Sequence, residues 1–426
     1  RLVEYRLQRE FDRKVLESKE QPNSKKVTLN LSSAQEYNRK AIQLYEWFIR
    51  DFPKDKKVDQ ALFFLGFNYF EINDQKKGMF YYQRLTKEFP KSPFVDESSF
   101  ALGEFYFENE QWAKAVPYYQ KVARNKRARL YSFALYKQAW CQYKMGDVKR
   151  AVNSLELVIR AGRVAKGQDE KSLGGVSRIR LATEALKDLV VFYAEVGSYK
   201  SAKDYFAKVA GPRNVFSLQE KLAYHYADTG QRTGARYCFH ELIETNPSAP
   251  KAYDYQYQIV TMYAATGESK LFKQELYSWI QGYGPDSTWQ KTNSRNTDLI
   301  NKASQLIETT LRNYILQQHQ TAQNSRAENA QAMAKSGYEL YFRVFKESPK
   351  LDEMHFFFAE LLFDLKDYAR ASDHYLWVAE NAPKSAYFDK SVLNAILSLE
   401  KNLPTSDEIK KIVGNTTTPV EFDATI

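Results

Sequence analysis

One helical hairpin is written twice between Val58 and Asn125. Ala61, Leu62, Leu65, Gly66 and Tyr69 lead to Gly78, Tyr82, Leu85 and Phe89-Pro90. About 37 residues later, Phe100, Leu102, Gly103 and Tyr106 lead to Ala115, Tyr119 and Val122. Self-similarity at a period of about 20–50 residues marks a stacked array, and two apolar-faced helices per unit make it a helical solenoid. One hairpin cannot bury both its faces, so each needs a neighbour. A glycine inside a helix costs roughly 0.5–1 kcal/mol relative to Ala. Gly66, Gly78 and Gly103 are therefore expected where two helices approach too closely for a side chain. Tyr69 and Tyr106, three residues on, fill space beside the neighbouring hairpin.

The full pattern is a small residue, an aromatic three later, a small residue twelve after the first, an aromatic, an apolar residue, then Pro. It reads Gly66, Tyr69, Gly78, Tyr82, Leu85, Pro90 in one unit. Partial sets are Ala139, Tyr143, Ala151, Leu155, Val158 and Tyr193, Ala202, Phe206, Val209. The fullest late sets are Ala223, Tyr226, Ala235, Phe239, Leu242, Pro247 and Ala359, Ala371, Tyr375, Val378, Pro383. This resembles the tetratricopeptide repeat family over roughly three quarters of the chain. The resemblance implies an all-α fold, a right-handed superhelical solenoid of about 8–9 helical hairpins, interrupted by two insertions.

Taken in order, residues 1–53 hold a helix at Arg1–Ser18, a linker at Gln21–Asn30 and the second half of a degenerate first repeat. Ser33 with Glu36 is expected to cap that second helix. Residues 54–283 carry the array, with hairpins near 59–92, 96–127, 132–162, 183–212, 216–248 and 253–283. Breakers sit at Asn73-Asp74, Gly146-Asp147, Gly197-Ser198, Gly230 and Gly267. Arg163 to Arg178, with Gly167, Gly174 and Gly175, reads as a basic, mobile loop. Gly282 to Asn301 is expected to loosen the array. Residues 284–402 then hold an irregular long-helix repeat, with helices near 298–320 and 328–347 around a polar turn at Thr321–Arg326. A last hairpin at Asp352–Pro383 and a capping helix at Tyr387–Lys401 follow. Residues 403–426 form a tail, with a short helix near Thr405–Lys411.

Motifs that carry chemistry are missing: there is no Gly-rich phosphate loop, Cys-x-x-Cys, His-Glu-x-x-His or nucleophile elbow. No enzyme, cofactor or metal is expected. His240 lies two residues from Cys238, but such neighbours point apart on a helix. Cys141 and Cys238 fall in different repeats and read as small buried residues. No apolar run approaches the roughly 20 residues that span a bilayer, so no transmembrane segment is expected. No signal-peptide pattern is present. The chain begins at Arg1 and is expected to be a processed or trimmed piece, so the missing signal says nothing of compartment.

In the tetratricopeptide family the first helix of each hairpin lines an inner groove. Carried over, this puts Phe63, Phe67 and Phe70 there, then Phe100, Glu104 and Phe107, then Phe133, Tyr136, Trp140 and Tyr143. Rigid rings give large contact area at small entropic loss, which suits a protein or peptide partner. The alternative, that these rings pack between adjacent first helices, stays open. The carboxylate clamp of chaperone-binding members uses Lys, Asn and Arg on this face, and the Phe and Glu residues here argue against it.

Formal net charge is +10, from 62 basic and 52 acidic residues. Arg124, Lys126, Arg127 and Arg129 form a run between two repeats, and Arg160, Arg163, Lys166, Lys171, Arg178 and Arg180 decorate the expected loop. Such patches meet phosphates of nucleic acid or anionic lipid. The mild excess argues against nucleic acid and leaves acidic protein or peripheral membrane contact. A third reading makes the chain a regulatory region of a larger multidomain protein.

The phrases Tyr45 to Pro53 and Tyr82 to Pro93 resemble the bacterial cell-envelope branch of the family, whose outer-membrane assembly lipoproteins and envelope-constriction coordinators use a similar Phe-Pro-x-Ser ending. That implies a periplasmic or outer-membrane-associated adaptor, with a cytoplasmic location as the alternative. The chain is longer, lacks a lipobox cysteine and carries the late insertion.

Overall fold

The computed structural model describes residues 31–168, 173–265 and 269–403, and these hold helices and no strand. The expected N-terminal helix, its linker, the Gly267 turn, Lys171, the short helix near 405–411 and the tail lie outside them. The chain divides into two compact units, one up to Cys238 and one from Phe239, with the division inside a helix.

In the first unit, α1 (Leu31–Asp51) precedes four hairpins. These are α2 (Val58–Glu71) with α3 (Gln75–Glu88), α4 (Val95–Glu108) with α5 (Trp112–Ala123), α6 (Tyr131–Lys144) with α7 (Val148–Gln168), and α8 (Leu173–Val196) with α9 (Ala202–Ala210). Next come α10 (Val215–Asp228) and α11 (Arg232–Thr245), the helix that contains the division. The second unit continues with α12 (Ala252–Ala264), α13 (Ser269–Tyr283), α14 (Thr288–Thr292), α15 (Thr297–Ser325) and α16 (Glu328–Val344). It ends in α17 (Leu351–Asp364), α18 (Tyr368–Asn381) and α19 (Phe388–Asn402).

The glycines do what their cost requires. A Cβ on Gly66 would lie 2.5 Å from the Tyr82 ring, on Gly78 2.6 Å from Phe70, and on Gly103 2.7 Å from Tyr119. Tyr69 stacks on Tyr81 at 5.5 Å and donates its hydroxyl to Glu46 of α1, tying the hairpin to its neighbour. Leu62, Leu65, Leu85 and Leu102 are fully buried, each contributing about 1.5–3 kcal/mol. Several second helices stop before an X-Pro step, at Phe89-Pro90, Asn246-Pro247 and Ala382-Pro383, because the residue before Pro avoids the helical region.

Four expectations are corrected. α1 begins at Leu31, so Ser33 lies inside it and not at its cap. Residues 163–178 are not a long loop: α7 runs to Gln168 and α8 starts at Leu173. Gly162 is the reason the two pack so closely, since a Cβ there would sit 2.3 Å from that of Ala182 and 2.9 Å from the Arg178 carbonyl oxygen. Residues 282–301 are pinned. Trp289 of α14 is buried among Tyr253 and Tyr283 and donates Nε1–H to the Ala249 carbonyl at 2.7 Å, while Asn293 donates to Ser248 at 3.0 Å. The polar turn at 321–326 is mostly helix, and α15 ends only at Ser325, with Arg326 as its cap in a left-handed φ of 49°.

Candidate functional site

The candidate rings lie on α2, α4 and α6, first helices of three successive hairpins, and their surroundings divide them. Phe63 and Phe100 are 8% and 5% exposed. Phe63 stacks on Phe94 at 4.8 Å, and Phe100 meets Tyr119 edge-on at 5.6 Å. These two are core residues, a correction to their place in the groove: both are sixth in their helix, a position that faces the hairpin's own second helix, as Phe63 does Tyr82 and Phe100 does Tyr119.

The α6 rings are engaged by α8. Tyr136 donates to Asp188 Oδ2 at 2.6 Å and Trp140 Nε1–H donates to the same oxygen at 3.1 Å. Tyr143 stacks on Phe192 at 4.1 Å and donates to Glu195, and Trp140 meets Phe192 edge-on at 5.3 Å. For Tyr136, Trp140 and Tyr143, packing between adjacent first helices accounts for their main contacts. The bond to Glu195 pushes the Tyr143 phenol up to about 12, and burial followed by Asp188 raises Tyr136, so both stay protonated donors at neutral pH.

Phe67, Phe70, Phe107 and Phe133 stay half-buried. Phe70 stacks on Tyr82 at 5.5 Å and reaches Phe105 of the next first helix at 6.5 Å. Phe107 meets Trp112 at 5.0 Å and carries the Lys137 ammonium 4.2 Å over its face. That ammonium also pairs with Glu104 at 3.1 Å, and Glu104 accepts from the Tyr119 hydroxyl. Rings and fixed charges therefore alternate along the faces of α4 and α6.

Of the basic residues, Arg124, Lys126 and Arg127 are exposed in the α5–α6 turn and Arg129 is half-buried. Arg178 of α8 donates to the Ala128 carbonyl at 3.4 Å, bringing the second basic segment against the first. Arg163 and Lys166 are exposed near the end of α7. Arg163 donates to the Val209 carbonyl at 3.1 Å and, with Glu156, Arg160 and Lys208, lines a cleft of about 730 Å³.

The second unit holds a feature that sequence reasoning missed. Each of its three hairpins carries a polar pair nineteen residues apart, buried in two of them and half-buried at His374 in the third. Gln256 donates to Glu275 at 2.7 Å, His319 Nδ1 meets the Tyr338 hydroxyl at 2.9 Å, and His355 Nδ1 meets His374 Nδ1 at 2.8 Å. The signal was the spacing, because residues nineteen apart face each other across these hairpins. His355 also stacks on Trp377 at 3.9 Å. Burial followed by the neighbouring His374 pushes His355 down to about 3, and burial followed by Arg370 pushes His374 down to about 4. His240 lies 3.6 Å from Glu275. Cys141 and Cys238 are buried and form no disulfide, and burial pushes the Cys141 thiol up to about 12. Among the described residues, no three His, Cys, Asp or Glu side chains come together to hold a metal, and no helix is long and apolar enough to cross a membrane.

Residues 60–92 and 133–161, the α2–α3 and α6–α7 hairpins, match the tetratricopeptide repeat family model. Among solved structures, the chain is similar to one of Naa15/Naa10 bound to HypK-THB, at 15% identity and a TM-score of 0.35. The match covers 87% of this chain and 60% of that one, so the chain spans less than two thirds of it. A tetratricopeptide repeat protein from Parabacteroides merdae is similar at 11% identity over 80% of this chain and 99% of that one, with a TM-score of 0.31. The apo form of the quorum sensor NprR from B. thuringiensis follows at 12% identity over 88% and 99%, with a TM-score of 0.29. No curated protein shows significant sequence similarity.

Proposed function

We infer that this chain, a tetratricopeptide repeat protein, is a non-catalytic interaction scaffold that holds an apolar or aromatic segment of a partner protein on the first-helix faces of α2, α4 and α6. One observation carries the reading. Phe67, Phe107 and Phe133 keep half-exposed rings in three successive hairpins whose cores close beneath them with Leu62, Leu65, Leu102 and Ala134 fully buried. Aromatic anchors set among satisfied polar groups are what protein interfaces use most. Tyr136, Trp140 and Tyr143 extend the surface only at their free edges.

The test is capture of partners from the source cells by the intact chain beside a Phe67→Ala, Phe133→Ala chain, followed by mass spectrometry. Trp140→Ala is the wrong probe, since it also breaks the Asp188 and Phe192 contacts. Helicity should be unchanged and specific partners lost; undiminished capture ends the reading.

The contact of Arg178 with the basic turn favours a second reading, an anionic surface met by Arg124, Lys126, Arg127, Arg163 and Lys166. Binding by that route must weaken steeply with salt, for duplex DNA with a log–log slope of about 0.9 per neutralised phosphate. The Phe-Pro endings of α1 and α3 support a place in a bacterial envelope assembly, periplasmic or outer-membrane-associated, which cell fractionation tests.

A further inference from the structure

The last helix of the second unit is turned inside out. Toward the fold, α19 buries small residues, Ser391, Ala395 and Ser398. Away from it, α19 and the residue after it leave Val392, Leu393, Ile396, Leu397, Leu399 and Leu403 between 38% and 58% exposed. Contiguous exposed apolar surface of this extent marks a site of interaction.

Register argues against a hairpin partner of the usual kind. Counted from the first residue, the ninth position of the first helices is Gly or Ala in α2, α4, α6, α10 and α17, as Gly66, Gly103, Ala139, Ala223 and Ala359, and reaches the size of Val260 in α12. There the second helix comes so close that a Cβ at Gly66 or Gly103 would meet a tyrosine ring at 2.5 or 2.7 Å. In α19 the ninth position is Ile396, which holds off a helix that docks this way.

We propose that the outer face of α19 is an interface with a second copy of this chain, the two helices running antiparallel about a twofold axis at the level of Ala395. That axis sets Leu393 against Leu397, Asp389 against Lys401 and Lys390 against Glu400. All four charged residues are exposed. A parallel pair would set Asp389 against Asp389 and Lys390 against Lys390, so charge selects the antiparallel one. The six aliphatic side chains offer on the order of 500 Å² per copy, about 1,000 Å² for the pair, the lower limit for a specific interface. An interface of that size belongs to weak, reversible association.

Sedimentation of the full chain between about 1 and 100 μM should show a concentration-dependent dimer, with Ile396→Glu raising Kd more than about 30-fold at unchanged helicity. Because surface charge pairs are individually weak and each occurs twice here, Asp389→Lys or Lys401→Asp alone should raise Kd roughly tenfold, and the double exchange should restore it. A dimer indifferent to Ile396→Glu, or single charge variants that the double exchange does not rescue, overturns the arrangement. A monomer throughout also overturns it, and thiol labelling of Ile396→Cys, read against the wild-type chain, then says what holds the face. A protected thiol means the chain's own remaining residues, and a reactive one means a face open to another protein.

Discussion

The α2–α3 hairpin and the α17–α18 hairpin answer one packing demand with different chemistry. In the first, a glycine removes the side chain at the crossing, the Tyr82 ring takes its place, and the polar end of Tyr69 is carried out to Glu46 of the preceding helix. In the second, Ala359 stands at the crossing, and an imidazole pair lies inside the hairpin, stacked on Trp377 and Phe342. Both units also use a tyrosine that donates to a glutamate fifteen residues earlier, Tyr119 to Glu104 and Tyr375 to Glu360. What the second unit adds is a titratable pair inside a hairpin, the His355–His374 imidazoles. A buried polar pair stabilises only while every member is satisfied, so the second unit should respond to solution conditions that the first ignores.

Acid breaks the comparison most sharply. His355 and His374 titrate in the folded chain at about 3 and about 4, below the ordinary histidine value of about 6.5. The sign follows: neutral imidazoles fit the fold, so the stability they contribute is complete above about pH 6.5 and is lost as pH falls toward 4. The groups that face them are Arg370, which opposes a second positive charge, and Glu339, which favours one. Between pH 7 and 4.5 the second unit should lose about 3–5 kcal/mol more than the first. The first unit's sole histidine is the half-buried His225. Hydrogen exchange of the 355–374 amides beside the 62–85 amides reads the difference, and His355→Phe with His374→Leu should erase it. Equal losses in both units would show that the pair is not the cause.

The glycine crossing sharpens the comparison from the other side. Gly66→Ala and Gly103→Ala should each cost about 1–2 kcal/mol, because overpacking by a methyl group exceeds the helix-propensity gain. Ring carbons within 2.7 Å must move, and the Tyr119 ring is held at its far end by Glu104. The reverse change, Ala359→Gly, removes only propensity and a methyl contact, about 1 kcal/mol. Urea midpoints of the three variants test the contrast; a neutral Gly66→Ala would mean that the helices can separate freely.

Hairpin spans were legible because two signals agree, a small residue at the crossing and a breaker at the turn. The 163–178 segment misled because Gly167, Gly174 and Gly175 look like breakers, whereas the glycine that matters, Gly162, permits α7 and α8 to touch. Residues 282–301 misled by polar composition, and a single buried Trp289 outweighs it. The ring face was legible as a face but not as a surface. Whether Phe63 or Phe67 meets solvent depends on which side the next hairpin covers, and one helix does not encode its neighbour's position. The histidines were visible, yet only the nineteen-residue spacing joins them, and that spacing has meaning once hairpin length is known.

The smallest effect tests whether the two units share one turn. The residue two beyond the end of the first helix takes a left-handed φ in both: Asn73 65°, Glu110 56°, Gly146 78° and Gly230 75° in the first unit, Lys366 62° in the second. In each case the chain turns back so that amides just past the helix end reach its last carbonyls, as Lys366 N–H does to Phe363 and Asp367 N–H to Leu362. A left-handed conformation costs a residue with a side chain roughly 1–2 kcal/mol, a cost glycine escapes. Gly146→Ala should therefore destabilise by about 1 kcal/mol, and Lys366→Gly and Glu110→Gly should stabilise by somewhat less, since glycine also frees the unfolded chain. Thermal midpoints decide it. A gain at Glu110 without one at Lys366 would mean that the second unit relies on the Lys366 side chain for something the first does not need, and the shared turn would be shared only in outline.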